Sequence, residues 1–177
     1  MKRTIASGVV AALLSAVTGP ALAQEVSDNR VAVKTDWNVF VEDNPTECWS
    51  VSIPKETVNT RDGRPVAVNR GDILMFVAYR PAESVTGEIS FKGGYDFREG
   101  STVTVEIGES TFEFFTEGGN AWPASAEDDA KVITAMKRGA QAIVTGVSQR
   151  SGTTTKDTFS LLGFTAALEE AERRCAS

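Results

Sequence analysis

Thr102-Val103-Thr104-Val105-Glu106-Ile107, followed by Gly108-Glu109-Ser110 and then Thr111-Phe112-Glu113-Phe114-Phe115, decides the fold class. Val103, Val105 and Ile107 alternate with polar residues, a period of two that places them on one face of a strand. A short glycine-containing break between two β-rich runs reads as a hairpin. The same texture extends in both directions. Upstream, Trp37–Val41 is a candidate strand closed by the turn-forming Asp43-Asn44-Pro45, and Cys48–Ile53 alternates through Ser50 to Ile53 before Pro54 stops it. Asp62-Gly63 inside Arg61–Arg64 is a strong hairpin signal leading into Pro65–Val68. Ile73–Tyr79 is the most apolar run and reads as a central strand, and Val85–Phe91 alternates until Gly93-Gly94 breaks it. Downstream, Gln141–Val147 and Thr154–Leu161 form two more strands across Arg150-Ser151-Gly152.

Two helices interrupt the pattern. Ser125-Ala126-Glu127-Asp128 is a capping-box variant, Val132, Ile133 and Met136 supply an apolar stripe, and Gly139 ends the helix after Lys137 and Arg138. The closing helix, Phe164–Cys175, repeats Phe164, Ala167, Leu168, Ala171 and Cys175 at helical spacing. Its outer face carries the favourable pairs Glu169–Arg173 and Glu170–Arg174. Eight or nine short strands without alternating βα units predict a mainly β chain. The expected architecture is a single antiparallel β-sandwich or barrel-like domain with a short internal helix and a C-terminal helix.

The N-terminus reads as a signal peptide over residues 1–23. Lys2 and Arg3 precede the apolar run Ile5–Val17, and Ala21-Leu22-Ala23 is an A-x-A cleavage pattern after Gly19-Pro20. About 13 apolar residues fall well short of the roughly 20 that span a bilayer. Cleavage after Ala23 leaves Gln24 first, a polar flexible leader over 24–35, and the β domain over 36–177. The 177-residue chain carries 18 basic and 24 acidic residues; loss of Lys2 and Arg3 leaves 16 basic side chains and a net charge of −8. With no run of cations, such a chain repels nucleic acid and anionic lipid. The expected location is periplasmic, with secretion or surface association as the other destinations.

Two cysteines and no histidine set the chemistry. An even cysteine count in an exported chain reads as one disulfide, Cys48–Cys175, and the helical stripe points Cys175 inward. The missing histidine removes Ser-His-Asp and Cys-His nucleophile systems and His-ligated metal centres. Ser52-Ile53-Pro54-Lys55 matches S-x-x-K by spacing, but its serine ends a strand and Pro54 sits inside the motif. Glu127-Asp128-Asp129 lacks the alternating ligands of a calcium loop and suits a helix's first turn. No phosphate-binding glycine motif occurs. The expectation is no metal, no cofactor and no catalytic residue. The competing reading is an envelope-glycan hydrolase using a carboxylate pair, Glu113 with Glu106 or Glu117, from the acidic group Glu106, Glu109, Glu113 and Glu117. Among the aromatics, Trp37 and Trp49 read as core. Tyr95 and Trp122, in the glycine-flanked segments GGYDF and GGNAWPAS, are the candidate partner-binding residues, the partner being an unidentified envelope or host-surface protein or glycan.

Taken in order, these landmarks resemble the invasion-associated locus B family of exported alphaproteobacterial proteins. The carriers are the signal peptide, Asp36-Trp37, Cys48-Trp49, Arg61–Gly63, Gly94-Tyr95, Ala121-Trp122, Ala135–Gly139 and the block Asp157–Leu168. The resemblance implies a periplasmic or surface-associated β domain, with some members linked to host-cell invasion. It carries no reaction, cofactor or catalytic residue. The N-terminal sequence of protein recovered from the envelope is expected to begin at Gln24; a start at Met1 would contradict the signal assignment.

Overall fold

The computed structural model describes residues 29–44 and 46–176. The predicted signal peptide and its cleavage point lie outside them. Twelve strands form one open antiparallel sheet: β1 (Arg30–Lys34), β2 (Trp37–Asp43), β3 (Thr46–Ser52), β4 (Glu56–Arg61), β5 (Arg64–Pro65), β6 (Leu74–Arg80), β7 (Val85–Lys92), β8 (Thr102–Ile107), β9 (Ser110–Glu117), β10 (Asn120–Trp122), β11 (Gln141–Val147) and β12 (Thr154–Ser160). Their spatial order is β1-β2-β3-β6-β7-β10-β9-β8-β11-β12-β4-β5. Helix α1 (Ala126–Arg138) leads from β10 to β11, and helix α2 (Phe164–Cys175) closes the chain.

The alternation read from the β8–β9 hairpin places Val103, Val105, Ile107 and Phe114 in the core. Asp62 and Gly63 both take positive φ, 50° and 74°, as a type I′ turn requires, and Pro65 then sits on an edge strand where its missing N–H is harmless. The sheet turns back on itself around this core. Phe91 of β7 meets Phe159 of β12 edge-on, with ring centroids 6.0 Å apart. Trp37 of β2 donates its indole N–H to the Ser160 carbonyl at 3.0 Å.

Three strands escaped the sequence reading. β4 and β10 are short or polar, and β1 falls in the stretch expected to be a loose leader. Its residues 30–34 instead pair with β2, leaving Val33 58% exposed on the edge.

The largest difference concerns β3. The expected alternation would bury the large residues, yet Cys48, Ser50 and Ser52 face inward and Trp49 and Val51 lie on the outer face. The reason is α2, which packs against β2 and β3. Its Ala167 and Ala171 need small partners for close approach, while Phe164 and Leu168 fill the space beside Trp37. Trp37 is therefore core, as expected, and Trp49 is not. Glu170 gathers Lys34, Arg173 and Arg174 at 3.6, 2.6 and 2.7 Å, so Arg173 reaches Glu170 and not the expected Glu169.

Cys48 and Cys175 form a disulfide, with their Cα atoms 6.0 Å apart at a sequence separation of 127. Helix α1 has the predicted cap: the Ser125 hydroxyl accepts from the Asp128 N–H at 3.2 Å and donates to its carboxylate at 2.7 Å. It docks along β7 through Asp129, whose carboxylate accepts the Ile89 N–H at 2.9 Å.

Two outcomes follow. Closing so long a loop is worth about 5 kcal/mol in the chain-entropy model, so reduction is expected to lower the denaturant midpoint strongly; coincident oxidised and reduced curves would contradict the bridge. Burial raises the Asp129 pKa, helped by nearby Glu88 and Asp128 and opposed by the Ile89 N–H. A carboxyl raised on folding adds stability below its unfolded value, and this is lost as pH rises through the folded one. The stability of wild type relative to Asp129→Asn is thus expected to fall from about pH 4 upward; a flat difference would contradict it.

Candidate functional site

The segment 66–73 crosses from the edge strand β5 to β6 and carries Arg70 into the interior. Its guanidinium meets Asp157 of β12 in a two-pronged pair, Nη1 to Oδ1 at 2.8 Å and Nη2 to Oδ2 at 2.7 Å. The Arg70 side chain is 6% exposed and that of Asp157 fully buried. A pair this dry needs its remaining valences filled. Arg70 Nε and Nη2 also donate to the Gly93 carbonyl, at 3.0 and 2.6 Å, and the Thr57 hydroxyl donates to Asp157 at 2.9 Å.

Tyr95 belongs to this network. Its ring lies 5.0 Å from the Arg70 guanidinium carbon, within cation–π range. Its hydroxyl shares a 2.6 Å hydrogen bond with Thr155, and Phe97 meets the ring edge-on at 5.0 Å. Burial pushes the Tyr95 hydroxyl above its usual range. Two glycines make room. Gly94 has φ +73°, and a Cβ there would lie 2.6 Å from the Gly71 carbonyl oxygen; a Cβ on Gly146 would come within 2.9 Å of the Tyr95 hydroxyl. Gly93-Gly94, read from sequence as a turn, is thus also a point of close backbone approach.

Beside Tyr95 opens a cleft of about 670 Å³, lined by Arg61, Asn69, Tyr95, Asp96, Gln149 and Arg150 among others. The Arg61 guanidinium is held by a 2.9 Å bond to the Thr153 hydroxyl. The sequence shows no run of cations, yet the Asp-Gly hairpin and the β11–β12 turn bring two arginines to one cleft.

Trp122 lies in a separate cleft of about 680 Å³ between β7 and α1. The two aromatic candidates are therefore not brought together. Trp122 pairs directly across the sheet with Phe115, and the two are 37% and 53% exposed. In sheet register this row runs Val51, Phe76, Ser90, Trp122, Phe115 along the outer face, with Phe40 and Trp49 paired in the adjacent row. The Trp122 cleft is also lined by Glu88, Asp129 and Glu172. Asp129 is engaged by Ile89 and Glu88 by Arg80 at 2.9 Å. Tyr79, in the same cleft, has its hydroxyl pushed up to about 12 by burial.

The carboxylates picked from sequence lie elsewhere. Glu106, Glu109, Glu113 and Glu117 are all exposed around the β8–β9 hairpin. Glu113 opposes Thr104 and Glu106 opposes Thr111, so both decorate the sheet surface. The Ser52 hydroxyl donates to the Asp36 carbonyl at 2.8 Å, which ties down the serine of the S-x-x-K match. Of Glu127-Asp128-Asp129, the first two pair with Lys131 at 3.0 Å, and Asp129 turns inward. Among the described residues no three acidic or cysteine side chains converge as metal ligands. No described helix is long and apolar enough to cross a membrane. Arg70–Asp157 was missed. Its sequence signal is an acidic residue in phase with the buried Thr155 and Phe159 of β12.

The crystal structure of invasion associated protein B from Bartonella henselae has the same fold. Its TM-score is 0.55 at 13% identity, over 82% of this chain and 98% of that one. No curated protein sequence matches the chain. The family described as invasion associated locus B (IalB) protein matches residues 41–172. This chain belongs to the invasion associated locus B family.

Proposed function

We propose that the protein is exported, is held together outside the cytoplasm by its disulfide, and works without catalysis as an envelope or host-contact binding protein. The observation that carries this reading is the pair Phe115–Trp122, two large aromatics side by side and exposed on the outer sheet face. Exposed apolar side chains that continue into one row mark contact surfaces more often than chance placement does. Their surroundings are acidic on balance, with Glu113 and Glu117 on β9 and Glu172 and the Arg80-paired Glu88 set against Lys137 in the adjoining cleft, and favour a partner presenting apolar and cationic groups. The Cys48–Cys175 bridge supports an oxidising compartment. The Bartonella henselae protein is named for invasion, which makes a host surface one setting; upkeep of the envelope is the other.

A second reading rests on the Trp122 cleft, whose lining includes Glu88, Asp129 and Glu172, the side-chain type a glycan hydrolase uses. The engagement of Asp129 by a backbone N–H and of Glu88 by Arg80 favours a structural role for both. One experiment separates the two. The oxidised protein is used to capture partners from intact envelope, beside the double variant Phe115→Ala, Trp122→Ala. The variant is expected to retain the wild-type melting temperature within a few degrees and to bind its partner at least about tenfold more weakly. Equal capture by both proteins, together with glycan release that Asp129→Asn abolishes, would favour the hydrolase.

A further inference from the structure

The cleft beside Tyr95 differs in charge from the rest of the molecule. The chain as a whole is acidic, at −6, and half of the sixteen cations over the described residues are consumed locally: Lys34, Lys55, Arg70, Arg80, Lys92, Lys131, Arg173 and Arg174 each meet a carboxylate within 4 Å. Arg61 and Arg150 are two of the eight that do not. Both line this one cleft, and neither has an ion-pair partner among the described residues. Arg150 has no hydrogen-bond partner there either, whereas the 2.9 Å bond to Thr153 fixes one edge of Arg61 and leaves its other N–H groups unused. Thr153 is itself buried and is fixed by Ser151, so Arg61 is held by the fold and does not sweep freely through solvent.

The remaining walls supply the rest of a recognition surface. Asn69 and Gln149 contribute amide groups without side-chain partners, able both to donate and to accept. Tyr95 contributes a ring immobilised by Arg70, Phe97 and Thr155. Asp96 is the one carboxylate lining the cleft. Its Oδ1 lies 3.8 Å from where a Cβ on Gly118 or Gly119 would stand, which places that oxygen against the neighbouring turn. The lining therefore carries two guanidinium groups against one carboxylate. The buried pair Arg70–Asp157 is neutral as a unit and reaches the cleft only through Arg70, which holds the Tyr95 ring.

We propose that this cleft binds an acidic sugar, a pyranose bearing a carboxylate within a glycan. The two arginines take the carboxylate, for which the planar guanidinium is geometrically suited. The amides and Asp96 take ring hydroxyls, and the fixed Tyr95 ring packs against the sugar's apolar face. A volume of about 670 Å³ lies within the range of small-ligand sites and accommodates one or two sugar units. The site is separate from the outer aromatic row and stands whether or not that row binds a partner.

The test is calorimetric titration of the purified oxidised chain with an oligogalacturonate, with the neutral galactose oligomer of the same length, and with inorganic sulfate. Saturable binding of the oligogalacturonate is expected, at least about tenfold tighter than the neutral oligomer or sulfate, and weaker at higher salt. Arg150→Gln is expected to weaken it about tenfold with an unchanged melting temperature, since the exposed Arg150 makes no hydrogen bond or ion pair within the described fold. Arg61→Gln is expected to do the same at some loss of stability. No saturable binding, equal affinity for the neutral oligomer or for sulfate, or undiminished affinity in folded Arg150→Gln would each overturn the proposal.

Discussion

The bond between Cys48 and Cys175 closes the molecule across 127 residues of chain, and the packing of one half of the sheet depends on it. Helix α2 meets β3 through small side chains, Ala167 and Ala171 on the helix and Ser50 and Ser52 on the strand. Such a contact buries little apolar area, and area sets the hydrophobic stabilisation at roughly 25 cal/mol per Å². Ser50 is fully buried with no hydrogen-bond partner for its hydroxyl among the described residues, a further cost to the closed state. Phe164 and Leu168, set against Trp37 and Val39, supply the apolar anchor at one end of the helix. The disulfide supplies the anchor at the other.

This choice of small inner residues has a consequence on the opposite face. Because strand side chains alternate, putting Cys48, Ser50 and Ser52 inside puts Trp49 and Val51 outside, beside Phe40 and Phe76. The outer face of β2, β3 and β6 therefore carries an apolar patch, Phe40, Trp49, Val51 and Phe76, although it faces away from the core. The row continues through register to Trp122 and Phe115, where exposure is greatest. The demand for close helix packing within and the aromatic surface without are two results of one alternation. The acidic aromatic face and the arginine-lined cleft beside Tyr95 then give a single rigid frame two chemically different surfaces.

Much of this was legible in the amino-acid order, and for definable reasons. The β8–β9 hairpin, the Asp62-Gly63 turn, the Ser125 cap and the stripe from Phe164 to Cys175 are local signals, each determined by residues a few positions apart. The inward phase of β3 was not legible, because period-two alternation does not say which face is inside; a helix more than a hundred residues later decides it. The same holds for the Tyr95 site. Gly94-Tyr95 stood out locally, but its meaning comes from Arg70 and Asp157, which lie 87 residues apart. Arg61 and Arg150 meet at their cleft only through the pairing of β4 with β12. Trp122 was picked from its loop-like setting and proved to end a strand whose neighbour presents Phe115.

Amide hydrogen exchange on the oxidised and reduced protein tests the dependence on the bridge most directly, because it reads each element separately. On reduction, protection should drop first and most in α2, β2 and β3, while β8, β9, β11 and β12 keep theirs. Uniform loss across all twelve strands, or unchanged protection in α2, would contradict the account.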